Sequence, residues 1–236
     1  MSTNQLVVVS GGTKGIGRAV LTSFAELGYD LATCARNEQE LKQLKQYLEQ
    51  THGIKAHTFK ADLSQKSETL AFAQFIREIN QPIAALVNNS GVFVPGSVHT
   101  EEDGAFELQL TTNVHSAYHL SRQIIPIMKQ QQYGHIFNVC STASITAYTN
   151  GGSYCISKFA LYGMSKVLRE ELKPENIRVT SVMPGATLTA SWEGTDLPED
   201  RFMPPEDVAQ MMVSCFKLSN RSVVEDIVMR PVLGDL

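Results

Sequence analysis

The stretch LVVVSGGTKGIG, residues 6–17, decides the fold of this chain. Leu6–Ser10 is a short β-branched run that ends in glycines, which indicates a buried strand rather than a helix. Gly15–Leu27 follows with apolar residues at helical spacing and ends at Gly28. Glycines between a strand and a helix let a phosphate approach the backbone N–H groups at the helix start. We therefore expect a nucleotide-binding turn formed by Gly11, Thr13, Lys14, Gly15, Ile16 and Gly17.

Downstream of this turn, short apolar runs alternate with amphipathic stretches along the chain. The further strands are predicted at Leu31–Ala35, Lys55–Lys60, Ala84–Asn88, His135–Cys140, Arg178–Val182 and Ile227–Met229. The further helices are predicted from a cap at Asn37 to near Gln50, from Ser64 to about Ile79, from Glu101 to about Gln130 with a kink or break at Pro126, from Ser153 to Leu172, and from Pro204-Pro205 to about Leu218. This alternation predicts one α/β domain over residues 1–236, a Rossmann-type doubly wound, mostly parallel seven-stranded sheet with helices on both faces. Ligands of such sheets bind beyond the carboxyl ends of the strands.

Composition excludes several classes of function. The formal net charge is −4 without a run of like charge, which argues against a nucleic-acid or membrane partner. The four cysteines form no C-x-x-C pair and have no histidine at metal-ligand spacing, so we expect reduced thiols and no metal. The first residues lack the features of a signal peptide, and no apolar run approaches the ~20 residues of a membrane helix. We therefore expect a cytoplasmic protein.

The residues after the second and third strands indicate which dinucleotide binds. A carboxylate after the second strand suits the ribose 2′-hydroxyl of NAD, whereas a cation suits the 2′-phosphate of NADP. Arg36 stands there, and Lys14 faces the same pocket, so the pair predicts NADP(H) unless both are ordinary surface charges. After the third strand, Asp62 and its neighbour Leu63 could contact the adenine, or Asp62 is only a helix N-terminal acid.

The fourth strand ends in Asn88-Asn89-Ser90-Gly91, a turn-forming sequence at the tip of a central strand. We expect Asn88 to bridge neighbouring strands and the Gly91 backbone to leave room for the ribose. These four residues complete the cofactor-binding face that the strand ends predict.

Proton chemistry is indicated beyond the fifth strand. Tyr154 and Lys158 are four residues apart and share a helix face, and Ser141 stands at the end of the preceding strand. A phenol is a weak acid, and a nearby ammonium stabilises its ionised form. Tyr154 could then protonate a carbonyl oxygen as hydride reaches the carbon, while Ser141 hydrogen-bonds that oxygen. The nicotinamide would supply the hydride.

Taken together, these motifs resemble the short-chain dehydrogenase/reductase family over essentially the whole chain. The resemblance implies a catalytic tetrad of Asn113, Ser141, Tyr154 and Lys158, in which Asn113 holds a water beside the lysine. It also implies that Tyr154 and Lys158 contact the cofactor, Lys158 through the nicotinamide ribose. After the sixth strand, it implies cofactor contacts at Pro184, Gly185 and Thr189, with Thr187 the weaker match.

Within the family, residues 184–192, 203–208 and 225–231 resemble bacterial sepiapterin reductases. The implied activity is NADP(H)-dependent reduction of a small planar or dicarbonyl compound, sepiapterin-like, to an alcohol. One alternative is a 3-oxoacyl-thioester reductase acting on an acidic carrier protein. The acidic run of Glu193, Asp196, Glu199 and Asp200 argues against that alternative, because such an enzyme needs a basic site mouth. The other alternative is a non-catalytic NADP(H)-binding module.

Substrate size and assembly are the remaining expectations. The resemblance implies that residues 185–203 form the substrate lid, which is short here, and its Trp192 could stack on a flat substrate or could pack against the base of the lid. Phe93, Val94 and Tyr148 are expected on the opposite wall. The family resemblance implies a homodimer or homotetramer through the helices at 101–130 and 153–172.

Overall fold

A computed structural model describes residues 4–192 and 194–235. Its strands are β1 Leu6–Ser10, β2 Asp30–Ala35, β3 Ala56–Lys60, β4 Ile83–Asn88, β5 Gly134–Val139, β6 Ile177–Pro184 and β7 Asp226–Met229. Its α-helices are α1 Gly15–Glu26, α2 Glu38–His52, α3 Lys66–Ile79, α4 Ala105–Leu110, α5 Ser116–Gln131, α6 Gly152–Leu172 and α7 Pro205–Phe216. Strand bounds differ from the predicted ones by two residues at most.

The strands form one sheet in the order β3-β2-β1-β4-β5-β6-β7. Each neighbouring pair is parallel, so the expectation of a doubly wound α/β sheet is confirmed, with a fully rather than mostly parallel arrangement. The chain fills one side of β1 first and then returns to the other side through β4. This reversal opens a crevice at the carboxyl ends of β1 and β4, where ligands of such sheets bind.

Both faces of the sheet are covered because each strand sends alternate side chains to opposite sides. Val7 packs in one buried cluster with Phe24 of α1. Val8 packs in a second cluster with Phe72 of α3 and Leu120 of α5. The β-branched run in β1 is therefore buried from both sides, as its sequence predicts. No helix within residues 4–192 and 194–235 is long and apolar enough to cross a membrane.

The predicted helix from Glu101 to Gln130 is wrong at its start and in its regularity. Helix α4 begins at Ala105, a π-helical segment follows at Thr111–His115, and α5 then continues to Gln131. Glu101 stays outside the helix because its carboxylate accepts the backbone N–H of Ser153. Pro126 does not end α5, since it lies on the exposed side, where water can replace the hydrogen bond that proline removes.

Three other helix boundaries lie two residues from the predicted positions: α2 ends at His52 rather than near Gln50, and the other two are the start of α3 and the end of α7. Helix α3 begins at Lys66 rather than Ser64, because the Asp62 carboxylate accepts the Ser64 N–H in a turn before the helix. Helix α7 ends at Phe216 rather than Leu218. The Phe216 carbonyl accepts a hydrogen bond from the Arg178 guanidinium, which also caps the neighbouring carbonyls of Cys215 and Leu218.

Candidate active site

A cleft of about 850 Å³ lies at the carboxyl ends of the strands. Three of the predicted site residues, Gly17, Asn88 and Asn113, do not line it and lie behind its wall. The others do line it: Gly11, Thr13, Lys14, Gly15, Ile16, Arg36, Asp62, Leu63, Asn89, Ser90, Gly91, Ser141, Tyr154, Lys158, Pro184, Gly185, Thr187 and Thr189. The fold thus brings together residues from nearly the whole chain.

The glycine turn after β1 is shaped for an anion. Gly11 and Gly15 have φ of 71° and 52°, a region that L side chains avoid. A Cβ on Gly17 would overlap the Gly11 carbonyl oxygen, so Gly17 is needed for packing although it does not face the cleft. No side chain caps the start of α1, which leaves its backbone N–H groups for a ligand. The Asn89 amide holds the turn through the carbonyls of Ser10 and Gly11, both at 3.0 Å.

The end of the cleft beyond β2 carries two cations and one carboxylate. Arg36 is exposed and lines this end beside Lys14. The Lys14 ammonium lies 3.3 Å from a carboxylate oxygen of Glu40, and the Asn37 amide donates to the same oxygen. The Asn37 side chain also accepts the N–H groups of Gln39 and Glu40, as predicted for a cap. Sequence analysis did not single out Glu40, whose position here follows from that cap.

Asp62 and Asn88 both form hydrogen bonds that hold the local structure around the cleft. The Asp62 carboxylate lines the cleft but is engaged with the Ser64 N–H at 3.0 Å, so it belongs to a turn before α3. The buried Asn88 amide donates to the Asn138 side chain on β5 at 2.7 Å and to Ser121 on α5 at 3.0 Å. Asn88 therefore bridges β4 and β5, as its place at a strand tip suggested.

Tyr154 and Lys158 lie on the first two turns of α6, with the phenol partly exposed to the cleft. The buried Lys158 ammonium donates to the Val139 carbonyl at 2.9 Å and lies 5.7 Å from the centre of the Tyr154 ring. Phe93 meets the same ring edge-on at 4.9 Å. The phenol is thus held between an aromatic neighbour and a buried cation.

Asn113 lies in the π-helical segment, and such segments are frequent at functional sites. Its amide donates to the Val92 carbonyl and to Ser157 of α6, and its oxygen accepts the Val92 N–H at 2.8 Å. A Cβ on Gly91 would lie 3.3 Å from the Asn113 oxygen and 3.4 Å from the Lys158 ammonium. Asn113 and Lys158 therefore border the same small space behind Gly91.

Ser141 caps a 3-10 turn at Thr142–Ser144. The Ser141 Oγ accepts the Ala143 N–H at 3.1 Å, and the backbone N–H of Ser141 donates to the Ser144 hydroxyl. Because the Oγ accepts in this contact, its hydroxyl proton can still be donated to a substrate oxygen.

Residues of the lid, the segment 185–203, also line the cleft. Thr187 is buried and donates to the Gly185 carbonyl, whereas Thr189 lies against Gly15 of the glycine turn. Trp192 lines the cleft and also contacts Phe202 at the base of the lid, with ring centres 5.1 Å apart. Trp192 thus packs against the base of the lid, and stacking on a flat substrate stays a prediction.

The residues expected on the wall opposite the lid, and those of the acidic run, differ from expectation in detail. Phe93 and Tyr148 line the cleft, whereas Val94 does not, and its N–H donates to the Gln109 side chain. Asp196, Glu199 and Asp200 are exposed on the lid, and Glu193 lies outside the described residues.

Asp235 is a cleft residue that sequence analysis missed. It follows β7 and reaches the cleft beside Gly185, where its carboxylate accepts a hydrogen bond from Arg230 at 2.8 Å. Burial raises the pKa of the Tyr148 phenol well above its ordinary value, with smaller contributions from the nearby Tyr154, Cys155 and Asp235. Nothing in the local sequence marks Asp235, because only the pairing of β7 with β6 brings it to the cleft.

Comparisons with known proteins agree with this geometry. A family model described as short chain dehydrogenase matches residues 5–199. Sepiapterin reductase of Chlorobaculum tepidum is 32% identical over 98% of both chains. A 3alpha-hydroxysteroid dehydrogenase of Mediterraneibacter gnavus is 30% identical over 89% of this chain and 88% of that protein.

Solved structures of short-chain oxidoreductases are also similar to this chain. A metagenomic short-chain oxidoreductase in complex with NADP superposes with a TM-score of 0.84 at 27% identity, over 97% of both chains. A short-chain dehydrogenase from Sphingobium yanoikuyae in complex with NADPH superposes with a TM-score of 0.85 at 26% identity, over 97% of this chain and 88% of that one.

Proposed function

The chain belongs to the short-chain dehydrogenase family of oxidoreductases, and from that premise we propose that it is an NADP(H)-dependent reductase of small planar or dicarbonyl compounds. The observation that carries the proposal is the placement of Tyr154, Lys158 and Ser141 in one cleft with the glycine turn. A carbonyl group bound there would meet a proton donor and a second hydroxyl donor.

The residues present fit NADP(H). The uncapped start of α1 and the left-handed Gly11 suit a diphosphate, which needs backbone N–H donors and close approach. Arg36 and Lys14 line the end of the cleft where a 2′-phosphate would lie, and both can donate hydrogen bonds to it, with Glu40 offsetting part of the charge of Lys14. Several similar structures were solved with NADP or NADPH, which supports the same cofactor here.

When bound, the nicotinamide supplies a hydride to the carbonyl carbon. Tyr154 gives its phenolic proton to the carbonyl oxygen as negative charge develops there. Ser141 donates a hydrogen bond to the same oxygen, and the Lys158 ammonium stabilises the phenolate left behind. Asn113 borders the space beside Lys158, where a water could return the proton. In the oxidative direction, the same groups act in reverse.

The substrate class follows from the walls of the cleft. Trp192 and Tyr148 offer flat apolar surfaces, and Asp235 offers a carboxylate that can accept N–H donors. This combination favours a compact flat heterocycle of the sepiapterin kind. A carrier-bound acyl chain would have to pass the exposed carboxylates of Asp196, Glu199 and Asp200, which repel an acidic carrier.

The proposal extends to assembly and location. Large apolar side chains are exposed on the helices expected to form the interface: Phe106, Leu108, Tyr118, Ile156, Phe159 and Val167. We expect a homodimer or homotetramer through these helices, which sedimentation analysis would detect. The four cysteines are buried and free, which fits a reducing cytoplasm.

The test is NADPH consumption with a panel of vicinal diketones, sepiapterin, quinones and acetoacetyl thioesters, with NADH run in parallel. We expect turnover of the flat and dicarbonyl compounds with NADPH preferred. Turnover of the thioester alone would favour the 3-oxoacyl-thioester reductase. Tight NADPH binding without turnover of any compound would favour the non-catalytic binding module.

A further inference from the structure

We infer that Glu101 is a positioning residue for Tyr154, acting through the first turn of α6; the inference rests on the proposed function. The Glu101 Oε1 accepts the backbone N–H of Ser153 at 2.7 Å, and its Oε2 accepts the Ser153 hydroxyl. Ser153 immediately precedes Tyr154 in the chain. A carboxylate from 52 residues away thus holds the residue next to the proton donor.

The start of α6 needs this carboxylate. The first N–H groups of a helix have no partner within the helix, and an acid there also offsets the positive end of the helix dipole. The residue at the cap position is Gly151, which has no side chain to provide a cap. Glu101 therefore fills a position that Ser, Thr, Asp or Asn usually fills locally.

The surrounding glycines leave room for the Glu101 side chain and little more. A Cβ on Gly152 would overlap Glu101 Oε1, and a Cβ on Gly96 would lie 2.6 Å from Glu101 Cγ. The Gly96 N–H donates to the Asn150 carbonyl at 3.0 Å, which joins the loop after β4 to the segment before α6. Backbone and carboxylate contacts thus form one junction.

This junction couples two walls of the cleft at the Tyr154 ring. The loop that carries Glu101 also carries Phe93, which packs edge-on against the phenol. One turn along α6, Ser157 donates to the Tyr154 carbonyl and accepts the Asn113 amide. The first turn of α6 is therefore held at Ser153 by Glu101 and, through Ser157, by Asn113.

Removing the Glu101 carboxylate should affect the chemical step rather than cofactor binding. Glu101 is not among the residues that line the cleft, so its loss should leave NADPH affinity unchanged. Loss of the anchor lets the first turn of α6 and the Phe93 loop move, and a displacement of 1 Å at reacting atoms can lower turnover by about 10²-fold.

The experiment compares Glu101→Gln, Glu101→Ala, Ser153→Ala and the double variant Glu101→Ala/Ser153→Ala, with Glu102→Gln as the matched control. Glu102 is the neighbouring exposed carboxylate. The measurements are kcat, KM, NADPH dissociation constant by fluorescence, and melting temperature. Amide hydrogen exchange of peptides covering residues 93–104 and 150–158 reports the anchor itself.

We expect Glu101→Ala to lower kcat by about 10- to 100-fold with the NADPH dissociation constant unchanged. Glu101→Gln should lie between this variant and wild type, because its amide oxygen can still accept one of the two hydrogen bonds. Exchange should rise in both peptides, and Ser153→Ala should add less to Glu101→Ala than it lowers kcat alone. Glu102→Gln should match wild type in every measurement.

Two results would overturn the inference in distinguishable ways. If the wild-type protein reduces carbonyl compounds and Glu101→Ala has the same kcat, the positioning role is removed and the proposed function stands, whatever happens to the melting temperature of the variant. A wild-type protein that binds NADPH and reduces no carbonyl compound removes the proposed function, and the positioning role with it.

Discussion

The Lys158 ammonium lies 5.7 Å from the centre of the Tyr154 ring, one helical turn further along α6. It is fixed there by its hydrogen bond to the Val139 carbonyl of β5. The Tyr-x-x-x-Lys spacing alone places the two side chains on one helix face and could not show that the lysine is buried and fixed. The sheet provides that constraint, because β5 ends directly under the first turns of α6.

Replacing Tyr154 by phenylalanine tests the proton donor. Tyr154→Phe keeps the ring that Phe93 and Lys158 contact, so the fold and NADPH binding should persist. Without the hydroxyl, kcat should fall by about 10²–10⁴-fold, the usual loss for one acid/base group. Steady-state kinetics and NADPH titration measure the two effects. Turnover at the wild-type rate would remove Tyr154 from the mechanism.

Reversing the charge at Arg36 tests the cofactor. Arg36→Asp should weaken NADPH binding by about 10- to 100-fold, since a hydrogen bond to a charged group contributes about 1.5–3 kcal/mol. It should also improve NADH binding, because a carboxylate there suits a ribose hydroxyl. The ratio of kcat/KM for the two cofactors measures the change. Lys42→Asp is the control, since Lys42 is an exposed cation of α2 outside the cleft. An unchanged ratio in Arg36→Asp would make Arg36 a surface charge only.

The pH dependence of stability should depend on His135. Its imidazole is buried, stacks on Phe137 at 3.8 Å, and meets the Thr180 hydroxyl at 2.7 Å. That hydroxyl donates to the Val224 carbonyl, so the imidazole must be the donor to it. Burial, and then the charge of Arg178, lower the pKa of His135 well below its ordinary value.

The sign follows from proton uptake. Below about pH 6.5 the unfolded chain binds a proton at this histidine and the folded protein does not, so stability falls as the pH falls. Lowering the pH by one unit from about 6.5 reduces the free energy of unfolding by about 1 kcal/mol, which lowers the melting temperature by roughly 2–4 °C. His135→Phe keeps the stacking and should flatten the decline between about pH 7 and pH 5, whereas the exposed His99→Gln should not. Equal slopes in wild type and His135→Phe would contradict the assignment.

Local sequence was sufficient for the fold and for most of the cleft. The run from Leu6 to Gly17 combines a buried strand, a glycine turn and a helix start, and each feature depends only on residues near it in the chain. Strand tips in a parallel sheet all point to one edge, so residues after each strand could be placed in the cleft before any contact was known.

Contacts between residues far apart in the chain could not be predicted from local sequence. Glu101 reads as a helix start, but its carboxylate is used by Ser153, and no spacing rule connects them. Asp235 reaches the cleft only because β7 pairs with β6. Val94 resembles its neighbour Phe93 in polarity, yet it does not line the cleft, and its backbone is bound by the Gln109 side chain. These are tertiary contacts between segments, which periodicity does not report.

Substrate size is tested at Trp192. The indole shares its contacts between Phe202 and the cleft, so it can form a flat wall without a new conformation. We expect kcat/KM to be highest for compact planar or vicinal dicarbonyl compounds and to decline as acyl chains lengthen. Trp192→Ala should lower kcat/KM for the planar compounds by about 2- to 10-fold, since aromatic stacking contributes about 0.5–1.5 kcal/mol. Tyr47→Ala, an exposed aromatic of α2 outside the cleft, is the control. If kcat/KM instead rises with acyl length and ignores Trp192, the thioester-reductase alternative replaces the planar-substrate proposal, because a stacking wall and a long acyl channel are different shapes.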